Sequence, residues 1–446
     1  MAVVVVEERK RMLTLNIGVI GFGTVGAGVV ETVFKNSELM AQRTGVRPVI
    51  ARIADLDTTT DRGIALPDGL LVPDAMALIE DPAIDVIVEL VGGTGVAKKF
   101  VVSALEHGKH VVTANKALLA KCGKELFDVA KANGVEIYFE ASVGGGIPCI
   151  KALREGLVAN SIQAIYGILN GTCNYILTRM SNEKANFADV LTSAQKAGYA
   201  EADPSADVDG WDTANKAVIL ASLAFGRWFS LDDLSVRGIR EVTLADIENA
   251  EEAGYKIKLL AIIRNLDGQI QLSVQPTLIS ANSLLGHVNG VFNAVMVSGD
   301  IVGSTMYDGR GAGRAATSSA VVADLVDIGL NKKAGSLHRL PAFPEYGADV
   351  TVAPRCRLVS RYYLRLNVLD RPGVLSTVSG ILAAHGISIA SVKQCERKPG
   401  DCSVVPMMII THQASAEAMD EAAAEIEQLD TVAEKPVVFQ IADPME

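Results

Sequence analysis

The chain has 446 residues, of which 49% are hydrophobic and 21% are charged, a balance typical of a folded protein with about two to four domains that each bury a core. Its formal net charge of −11 argues against nucleic acid or an anionic membrane as a general partner, because both repel an acidic surface. The six cysteines form no C-x2-C pair, so neither a zinc site nor a disulfide framework is indicated.

The sequence predicts no membrane span. No run approaches the roughly 18 consecutive apolar residues that a transmembrane helix needs. The few valines at the start of the chain precede its first positive charges and are too short a run for the apolar part of a signal peptide. We therefore expect a cytoplasmic protein with reduced cysteines.

The first predicted strand, Leu13 to Ile20, runs directly into a G-x-G-x-x-G turn over residues 21–26, and a helix from Val25 to Val33 follows. Alone the motif is weak, but between a strand and a helix it is typical of dinucleotide binding. Gly21 permits the tight turn, Gly23 lets backbone N–H groups approach a pyrophosphate, and Gly26 allows close packing of helix and strand. A glycine-rich turn without a ligand is the alternative.

The second predicted strand, Val49 to Ala54, ends beside groups that bear on the choice of nicotinamide cofactor. A carboxylate there, from Asp55 or Asp57, would bind the ribose 2′-hydroxyl and favour NAD. An arginine, such as Arg52 or Arg62, would instead accept the 2′-phosphate of NADP. Both kinds of side chain are present, so the sequence leaves the choice open.

Strands and helices then alternate in the way that predicts a doubly wound parallel sheet. The pattern predicts a strand from Val86 to Val91, a helix from about Ala97 to His107 and a strand from His110 to Thr113. Lys116 follows this last strand, at the sheet edge that faces the ligand crevice in open α/β folds. It is a candidate for contact with the nicotinamide ribose and the reacting carbon, the alternative being a surface lysine that begins a helix.

Three consecutive glycines, Gly144 to Gly146, precede Pro148 in the loop after the predicted strand Ile137 to Ala141. Glycine permits backbone conformations that turn carbonyl groups inward. Such a loop would bind a monovalent cation through its carbonyls or pack against the cofactor, and both remain open. The pattern next predicts a helix from Ile150 to Ala159.

The most informative stretch runs from Gly198 to Phe225. Its first half is a loop with five carboxylates, and its second half is an Ala-rich apolar segment long enough for a helix. Asp209 or Gly210 suits the N-cap position. Asp212 then lies in the first turn, and Lys216 lies one turn later on the same face. The helix N-terminus and the nearby ammonium both favour the ionised carboxylate.

Acidic groups around one oriented ammonium suit a small polar substrate that carries its own positive charge. One carboxylate would hold the substrate amine, while the lysine supplies a proton or a hydrogen bond to a reacting oxygen. The spacing alone leaves two alternatives. A solvated surface turn shows the same i,i+4 pair, and an acidic loop also suits a metal ion, although this one lacks the EF-hand spacing D-x-[DN]-x-[DN]-G-x5-E.

The segments after this stretch mix strands with helices, which predicts a second, α+β domain. A glycine loop from Tyr307 to Gly313 precedes a small-residue helix, Ala316 to Gly329, so we expect the chain to return to the nucleotide-binding domain. Residues 333–358, with several prolines and basic residues, are predicted to form a linker. From Tyr362 onward the order β-α-β-β-α-β is typical of a ferredoxin-like module, and binding or regulation is expected there rather than chemistry.

Several separate motifs, in the same order along the chain, resemble those of homoserine dehydrogenase with a C-terminal ACT domain. The resemblance covers nearly the whole chain, from about Leu13 to Ala442. The motifs that carry it are Thr113-Ala114-Asn115-Lys116, the run Glu140 to Pro148, Asn170-Gly171-Thr172, the run Gly198 to Pro204, the run Asp207 to Lys216, and Gly311-Ala312-Gly313.

The resemblance implies an α/β protein with an N-terminal Rossmann-type doubly wound parallel sheet, an α+β catalytic and dimerisation domain, and a C-terminal ferredoxin-like ACT domain. The expected boundaries are 13–138 plus about 308–332 for the NAD(P)-binding domain, 139–307 for the substrate-binding domain, 333–358 for the linker and 359–446 for the ACT domain. The implied reaction is reversible NAD(P)-dependent reduction of L-aspartate 4-semialdehyde to L-homoserine, a step towards threonine and methionine. L-Threonine as an effector at the ACT domain and a homo-oligomer, by default a homodimer, are also expected.

The resemblance also implies roles for individual residues. Lys216 is expected to donate the proton to the aldehyde oxygen, and Lys116 to meet both cofactor and substrate. Glu201 is expected to bind the substrate amino group, with Asp212 and Gly198 as further substrate contacts. The expected cofactor contacts are Gly21, Phe22, Gly23, Thr24, Val25, Gly26, Thr94, Lys116, Gly311 and Gly313. The expected sodium ligands, chiefly through carbonyl groups, are Glu140, Val143, Gly145 and Ile147.

Two features depart from the family pattern. Many relatives place an arginine before the aspartate that follows the second strand, where this chain has Ala54 before Asp55, so NAD or dual cofactor use stays open. The linker has no recognisable motif, so the sequence does not show how the ACT domain is coupled to catalysis. Two other functions stand as alternatives: another Rossmann oxidoreductase acting on a related amino-acid aldehyde or 2-oxo acid, and a nucleotide- and amino-acid-sensing protein without turnover. The pair formed by Asp212 and Lys216 argues against the second.

Overall fold

The structure, a computed structural model, describes residues 12–336, 340–341, 343, 345–394 and 404–443. Within these residues the strands form a six-stranded sheet and a twelve-stranded sheet. Helices pack on both sheets, so the protein is an α/β protein, as the sequence predicts. None of the helices in the described ranges is both long enough and apolar enough to cross a membrane.

The N-terminal sheet is parallel throughout, with the strand order β3-β2-β1-β4-β5-β6. Its strands are β1 (Leu13–Ile20), β2 (Val46–Ala54), β3 (Leu71–Val72), β4 (Val86–Glu89), β5 (His110–Thr113) and β6 (Ile137–Tyr138). The order reverses between β1 and β4, and the crevice outside the carboxyl ends of the strands at such a point is where open α/β sheets bind ligands. The predicted doubly wound sheet is confirmed.

Helices from two distant parts of the chain cover this sheet. They are α1 (Thr24–Thr44), α2 (Met76–Ile79), α3 (Val96–Glu106), α4 (Lys116–Ala132) and, much later, α11 (Arg314–Ala334). A Cβ added to Gly329 of α11 would lie 2.3 Å from the Val46 side chain, and the hydroxyls of Thr32 in α1 and Ser318 in α11 are 3.3 Å apart. The chain therefore returns to the N-terminal sheet at α11, while the domain boundaries stay a prediction.

The second sheet is mixed and follows the order β12-β11-β7-β9-β10-β18-β14-β16-β15, with β8 and β13 paired to β10 and β17 paired to β14. Its strands are β7 (Ile162–Ile168), β8 (Ser235–Val236), β9 (Tyr255–Leu266), β10 (Gln269–Ser280), β11 (Phe292–Gly299), β12 (Gly303–Arg310), β13 (Thr351–Val352), β14 (Val359–Leu369), β15 (Ile389–Gln394), β16 (Val404–Thr411), β17 (Ala414–Ser415) and β18 (Val437–Ala442). The accompanying helices are α5 (Cys149–Lys151), α6 (Gly171–Glu183), α7 (Phe187–Lys196), α8 (Ser205–Val208), α9 (Trp211–Phe225), α10 (Leu244–Glu252), α12 (Val374–Ala384) and α13 (Ala416–Glu427).

Helix α9 is buried along almost its whole length, from Asp212 to Phe225 with the exception of Asn215. A helix that is apolar all round requires such a position, because no face of it suits water. Its Ala-rich sequence lets it lie close to the surrounding sheet and helices. The consequence for function is that the polar groups in its first two turns are held inside the protein rather than on its surface.

The C-terminal module has the predicted β-α-β-β-α-β order, formed by β14, α12, β15, β16, α13 and β18. It is attached to the rest of the molecule through the second sheet, because β18 pairs in parallel with β10 from Thr277 to Ile279. The Tyr363 and Phe439 rings stack with centroids 5.9 Å apart. Both belong to the hydrophobic core around helix α9 and strands β7, β9 and β10, the region hereafter called the central domain. The sequence predicts the module but not this shared sheet.

Four predicted elements differ clearly from the structure. The predicted strand from Ile137 to Ala141 ends at Tyr138, and a 3₁₀ turn, Glu140–Ser142, follows it. The predicted helix from Ile150 to Ala159 is the short α5 followed by a π-helical turn, Ala152–Gly156, and it ends at a glycine, which disfavours helix continuation. The predicted glycine loop begins only at Gly311, because the residues before it pair with β11 as strand β12. Helix α1 continues past the predicted end at Val33 until Gly45, whose φ of +73° ends it.

Candidate active site

The polar end of helix α9 is fixed by its N-cap. Gly210 has a φ of +90°, a conformation that glycine adopts without strain, and it packs against Val236 and Val274. The next turns place the Lys216 Nζ atom 2.7 Å from Asp212 Oδ2. Asp212 is 8% exposed and Lys216 is 7% exposed. The predicted i,i+4 pair is therefore formed, and it is buried rather than a solvated surface pair.

A second ammonium reaches the same carboxylate from the N-terminal sheet. Lys116 begins α4, where the Asn115 side chain caps the helix by accepting a hydrogen bond from Leu118 N at 3.1 Å. Lys116 Nζ lies 3.1 Å from Asp212 Oδ1. Each oxygen of Asp212 thus faces one lysine, and Lys216 Nζ also donates to the carbonyl oxygen of Leu169 at 2.6 Å.

The charges in this cluster set one another's ionisation. Burial by itself would raise the pKa of the Asp212 carboxyl, but the ammonium groups of Lys216 and Lys116 outweigh it and hold that pKa below its usual range. The negative charge of Asp212 in turn raises the pKa of Lys116. The cluster therefore holds an ionised carboxylate at neutral pH, with the Lys116 ammonium charged beside it.

Asn170 completes the surroundings of Asp212. Its Nδ2 atom donates to Asp212 Oδ2 at 2.8 Å and to Asp207 Oδ1 at 2.7 Å. Its Oδ1 atom accepts from Cys173 N and so caps helix α6. Sequence reasoning assigned no role to Asn170, although an Asn-Gly pair between a strand and a helix is a recognisable N-cap signal.

The five carboxylates of the acidic loop separate into two groups. Asp207, Asp212 and Glu201 line one cavity. Asp209 forms an ion pair with Arg240 outside that cavity, and Asp203 accepts from Ser205 N at 3.0 Å beside α8. The sequence spacing does not distinguish these groups, because loop side chains take their direction from the surrounding structure.

The cavity, of about 560 Å³, lies where the N-terminal sheet meets the central domain. Nine of the residues singled out from the sequence line it, namely Val25, Lys116, Gly145, Gly198, Glu201, Asp212, Lys216, Gly311 and Gly313. The others lie outside its lining, namely Gly21, Phe22, Gly23, Thr24, Gly26, Thr94, Glu140, Val143 and Ile147. Val25 belongs to the glycine-rich turn, so that turn and the ammonium of Lys216 open onto one space.

The glycine-rich turn fits a dinucleotide. A Cβ at Gly21 would lie 2.7 Å from the backbone of Leu90, and one at Gly26 would lie 1.9 Å from the Gly21 carbonyl oxygen, so both glycines are needed for packing. A Cβ at Gly23 would meet no atom within 4 Å. Gly23 is the N-cap of α1, and none of the described side chains caps that helix. Its first N–H groups thus face open space, the arrangement that holds a pyrophosphate.

Three comparisons with known proteins point to the same protein family. Residues 21–140 match the homoserine dehydrogenase NAD-binding domain, residues 148–326 match homoserine dehydrogenase, and residues 362–431 match the ACT domain. The homoserine dehydrogenase of Neisseria gonorrhoeae is 44% identical over 431 residues, covering 96% of this chain and 98% of the relative.

The chain belongs to the homoserine dehydrogenase family. The homoserine dehydrogenase of Pseudomonas aeruginosa is 45% identical and is covered over 98% of its length. The crystal structure of a homoserine dehydrogenase from Thiobacillus denitrificans matches with a TM-score of 0.91 at 44% identity, covering 97% of this chain and 99% of that one. The chain is accordingly an NAD(P)-dependent oxidoreductase that acts on a CH–OH group, with a C-terminal ACT domain.

The end of strand β2 holds both groups that bear on cofactor choice in this chain. Asp55 Oδ2 accepts from Phe22 N at 2.6 Å, and its Oδ1 accepts from Asp57 N at 2.9 Å. Arg62 donates from Nε to the carbonyl oxygen of Phe22 at 3.0 Å and pairs with Asp57 at 3.0 Å. A carboxylate and a guanidinium therefore stand together at the glycine-rich turn.

The loop 140–147 packs beneath the cavity. Gly144 and Gly145 have φ values of +72° and +58°, and a Cβ at Gly145 would lie 2.4 Å from the Gly311 carbonyl oxygen. Burial raises the pKa of Glu140 to about 7, although its oxygens accept from Ile150 N and Lys151 N at 2.9 and 2.8 Å. In the described ranges no group of three or more histidine, cysteine, aspartate or glutamate side chains is placed to hold a metal ion.

Proposed function

We propose that this cavity is where the enzyme interconverts L-aspartate 4-semialdehyde and L-homoserine. The observation that carries the proposal is the position of Lys216. Its ammonium is buried, is oriented by Asp212 and the Leu169 carbonyl, and lines a cavity that also reaches the dinucleotide turn. Such a group is suited to one oxygen atom of a bound substrate.

The proposed chemistry assigns each residue of the cluster a task. A bound nicotinamide supplies or accepts the hydride. Lys216 stabilises the negative charge that develops on the aldehyde oxygen and donates a proton to it, an effect worth roughly 10²–10⁴-fold in rate. Asp212 fixes the direction of that ammonium, and Lys116 places a second positive charge on the cofactor side of the cavity.

The proposed site for the substrate ammonium is Glu201. The Glu201 carboxylate is exposed to the cavity, and no hydrogen bond or ion pair of that carboxylate is found among the described residues. Asp207, by contrast, is already bonded to Asn170. We therefore assign the amine to Glu201, with Gly198 providing close backbone approach.

Residues that would hold a cation or the cofactor phosphate are assigned in the same way. We propose that Glu140 and the carbonyl oxygens of Val143, Gly145 and Ile147 bind sodium, because a cation would offset the charge of a carboxylate whose burial raises its pKa to about 7. We propose that both NAD and NADP are accepted. Arg62 at the end of β2 offers a positive charge for a 2′-phosphate, whereas the carboxylate beside it suits a 2′-hydroxyl.

The remaining assignments concern organisation and regulation. We propose that L-threonine binds the ACT domain, that the enzyme is a homo-oligomer, and that the domains are 13–138 plus about 308–332, 139–307 and 359–446. Support for control of catalysis comes from the pairing of β18 with β10. Because the ACT domain shares a sheet with the central domain, a change in its position displaces strands of the catalytic domain.

A steady-state assay tests the proposed function. Homoserine oxidation, followed by the absorbance of the reduced nicotinamide, is compared with oxidation of other amino alcohols, with NAD and with NADP, and with and without L-threonine. We expect homoserine to be the preferred substrate with both cofactors, and threonine to lower the rate. Preference for another amino alcohol would assign the cavity to a different aldehyde, and no turnover with any substrate would contradict the proposal.

A further inference from the structure

Asn170 is a buried residue of the cavity wall that has no task in the proposed reaction. It is 5% exposed and lines the same cavity as Lys216. An asparagine amide carries two N–H groups, and both are used, one by Asp212 Oδ2 and one by Asp207 Oδ1. The Oδ1 atom accepts from Cys173 N at 2.8 Å. The hydrogen-bonding groups of Asn170 are thus engaged within the protein, and its influence on the reaction passes through the two aspartates.

The backbone on both sides of Asn170 is held in place. One residue separates Asn170 from the end of strand β7, which pairs with β9 on one side and with β11 on the other. Asn170 is also the N-cap of α6. A Cβ at Gly171 would lie 2.8 Å from the Val291 carbonyl oxygen, so the chain packs closely here on the loop before β11. A side chain between an interior strand and a capped helix is held more precisely than one on a free loop.

Two consecutive residues hold the two members of the catalytic ion pair. The Leu169 carbonyl accepts from Lys216 Nζ at 2.6 Å, and the amide of Asn170 donates to Asp212 Oδ2 at 2.8 Å. Lys216 Nζ also donates to Asp212 Oδ2 at 2.7 Å. These two acceptors use two of the three N–H groups of the ammonium. Because Lys216 lines the cavity, the third N–H is the one available to a ligand.

Asn170 also stands between two negative charges. Asp207 and Asp212 both accept from its single nitrogen atom, so their facing oxygens lie within two hydrogen-bond lengths of each other. Two carboxylates at that separation repel each other, and each is stabilised by a donor that it does not have to share. Without the two N–H groups, the carboxylates would turn apart, and the direction of Asp212 would change.

We propose that Asn170 is a positioning residue for the reaction. By bridging Asp207 and Asp212 it fixes the direction of the Asp212 carboxylate, and so aims the remaining N–H of Lys216 at the reacting oxygen. The proposal rests on the proposed function, in which Lys216 is the proton donor. The alternative is that Asn170 only caps α6. Aspartate and serine cap helices about as well as asparagine, so the two roles predict different results for the same substitutions.

The first test is the variant Asn170→Asp, which keeps the capping oxygen and the shape of the side chain but replaces the N–H donor by an oxygen. We expect kcat for homoserine oxidation to fall by about 10–100-fold, because a third carboxylate displaces Asp212 and a displacement of about 1 Å can cost that much. The KM for homoserine, and the dissociation constant of NADH measured by calorimetry, should change much less. Asn170→Ser, which keeps the cap and leaves room for a water molecule, should lower kcat by a smaller factor.

A matched control is Asn186→Asp, the same substitution at the N-cap of α7 and outside the cavity lining. It should leave kcat unchanged. Equal kcat values for the wild-type protein, Asn170→Asp and Asn170→Ser would show that Asn170 only caps its helix and would overturn the proposal. A change confined to the KM for homoserine would overturn it as well, because it would assign Asn170 to substrate binding.

The pH profile of Asn170→Asp gives a readout that a cap would not change. The titratable groups around this position are Lys116, Cys173, Glu201, Asp207, Asp212 and Lys216. Because the two nearest are the carboxylates of Asp207 and Asp212, the pKa of the introduced carboxyl should lie above the ordinary range of an aspartate. Once protonated, it again carries a hydrogen to donate. We expect the ratio of the kcat of the variant to that of the wild-type protein to rise as the pH is lowered from about 8 to about 6, and a constant ratio would contradict the bridging role.

A crystal structure of ligand-free Asn170→Asp distinguishes failure of this proposal from failure of the proposed function. We expect the Asp212 carboxylate to have turned and Lys216 Nζ to have moved with it, whichever substrate the enzyme uses. Unchanged positions of both groups would overturn the positioning role even if activity fell. A wild-type protein that does not oxidise homoserine would instead contradict the proposed function, and the crystal structure would still decide this proposal. Asn170→Ser serves for the same measurement where the aspartate variant fails to fold.

Discussion

Two buried aspartates of the central domain each bind a basic side chain from another part of the fold. Asp212 pairs with Lys116 of helix α4, which covers the N-terminal sheet, as well as with Lys216. Asp246 pairs with Arg365 of the ACT domain, at 2.7 Å between Oδ1 and Nε. Both carboxylates therefore join two structural units through an ion pair.

The two aspartates differ in what surrounds them. Asp246 is fully buried; its Oδ2 accepts from Thr243 N and Oγ1 in a capping box, and its Oδ1 accepts from the Tyr363 hydroxyl at 2.9 Å. Asp246 is not among the residues that line the cavity of the candidate active site. Asp212 holds its lysines at the wall of that cavity. A buried ion pair thus indicates catalysis only where a ligand has room to reach it, and otherwise it joins domains.

The largest expected effect is the loss of activity when the ion pair of Asp212 is broken. Lys216→Ala should lower kcat by roughly 10²–10⁴-fold, because it removes both the charge and the proton at the reacting oxygen. Binding of NAD(P), measured by calorimetry, should survive, since the glycine-rich turn is untouched. Turnover near that of the wild-type enzyme would remove Lys216 from the mechanism.

Breaking the ion pair of Asp246 should instead lower the stability of the protein and leave the reaction unaffected. Asp246→Asn leaves the buried guanidinium of Arg365 without its counter-charge, a type of loss that costs about 3–5 kcal/mol. We expect a lower melting temperature by calorimetry, while kcat per folded molecule stays close to that of the wild-type enzyme. If kcat fell while the melting temperature held, the contrast between the two aspartates would be wrong.

A third change separates substrate binding from the reaction within the cavity. Glu201→Leu should raise the KM for homoserine by about 10–100-fold, because the substrate ammonium loses a charged partner, and should change kcat less. Asp203→Leu is a matched control from the same loop, since Asp203 lies outside the cavity lining. An unchanged KM in the Glu201 variant would contradict the amine-binding role.

The ionisation of Asp212 gives a smaller effect that depends on pH. The pKa of the Asp212 carboxyl is lower in the folded than in the unfolded protein. The ion pair therefore contributes its full stability at pH values above the pKa of the unfolded state, about 3.9. That stability is lost as the pH falls towards the pKa of the folded state. The melting temperature of the wild-type protein should therefore fall more steeply below pH 5 than that of Lys216→Ala. Parallel curves would show that the lysine does not lower the pKa of Asp212.

The smallest expected effect concerns cofactor choice at the partly exposed end of β2. Arg62→Ala should raise the KM for NADP severalfold and change the KM for NAD little, because only NADP carries the 2′-phosphate that the guanidinium would meet. The control is Arg47→Ala on the same strand, which removes an exposed ion pair with Glu38 of helix α1. Equal changes with both cofactors would assign Arg62 to holding the glycine-rich turn through Phe22 and Asp57 instead.

The sequence by itself determined the features that depend on neighbours along the chain. The dinucleotide turn after β1, the β-α-β-β-α-β order of the ACT domain and the pairing of Asp212 with Lys216 all follow from local periodicity. A strand that runs into glycines at this spacing can adopt few backbone conformations. Residues four apart in a helix must lie on one face. These features were accordingly predicted with little error in their position.

Only the tertiary structure decided which polar groups and strands that are far apart in the sequence come into contact. It brought Lys116 to Asp212, gave Asn170 two carboxylate partners, turned Asp209 away to Arg240, and set β18 beside β10. A loop side chain or a strand edge has many possible partners, and local interactions favour none of them strongly. Which partner is chosen depends on the packing of the whole core, and no local pattern in the sequence records that choice.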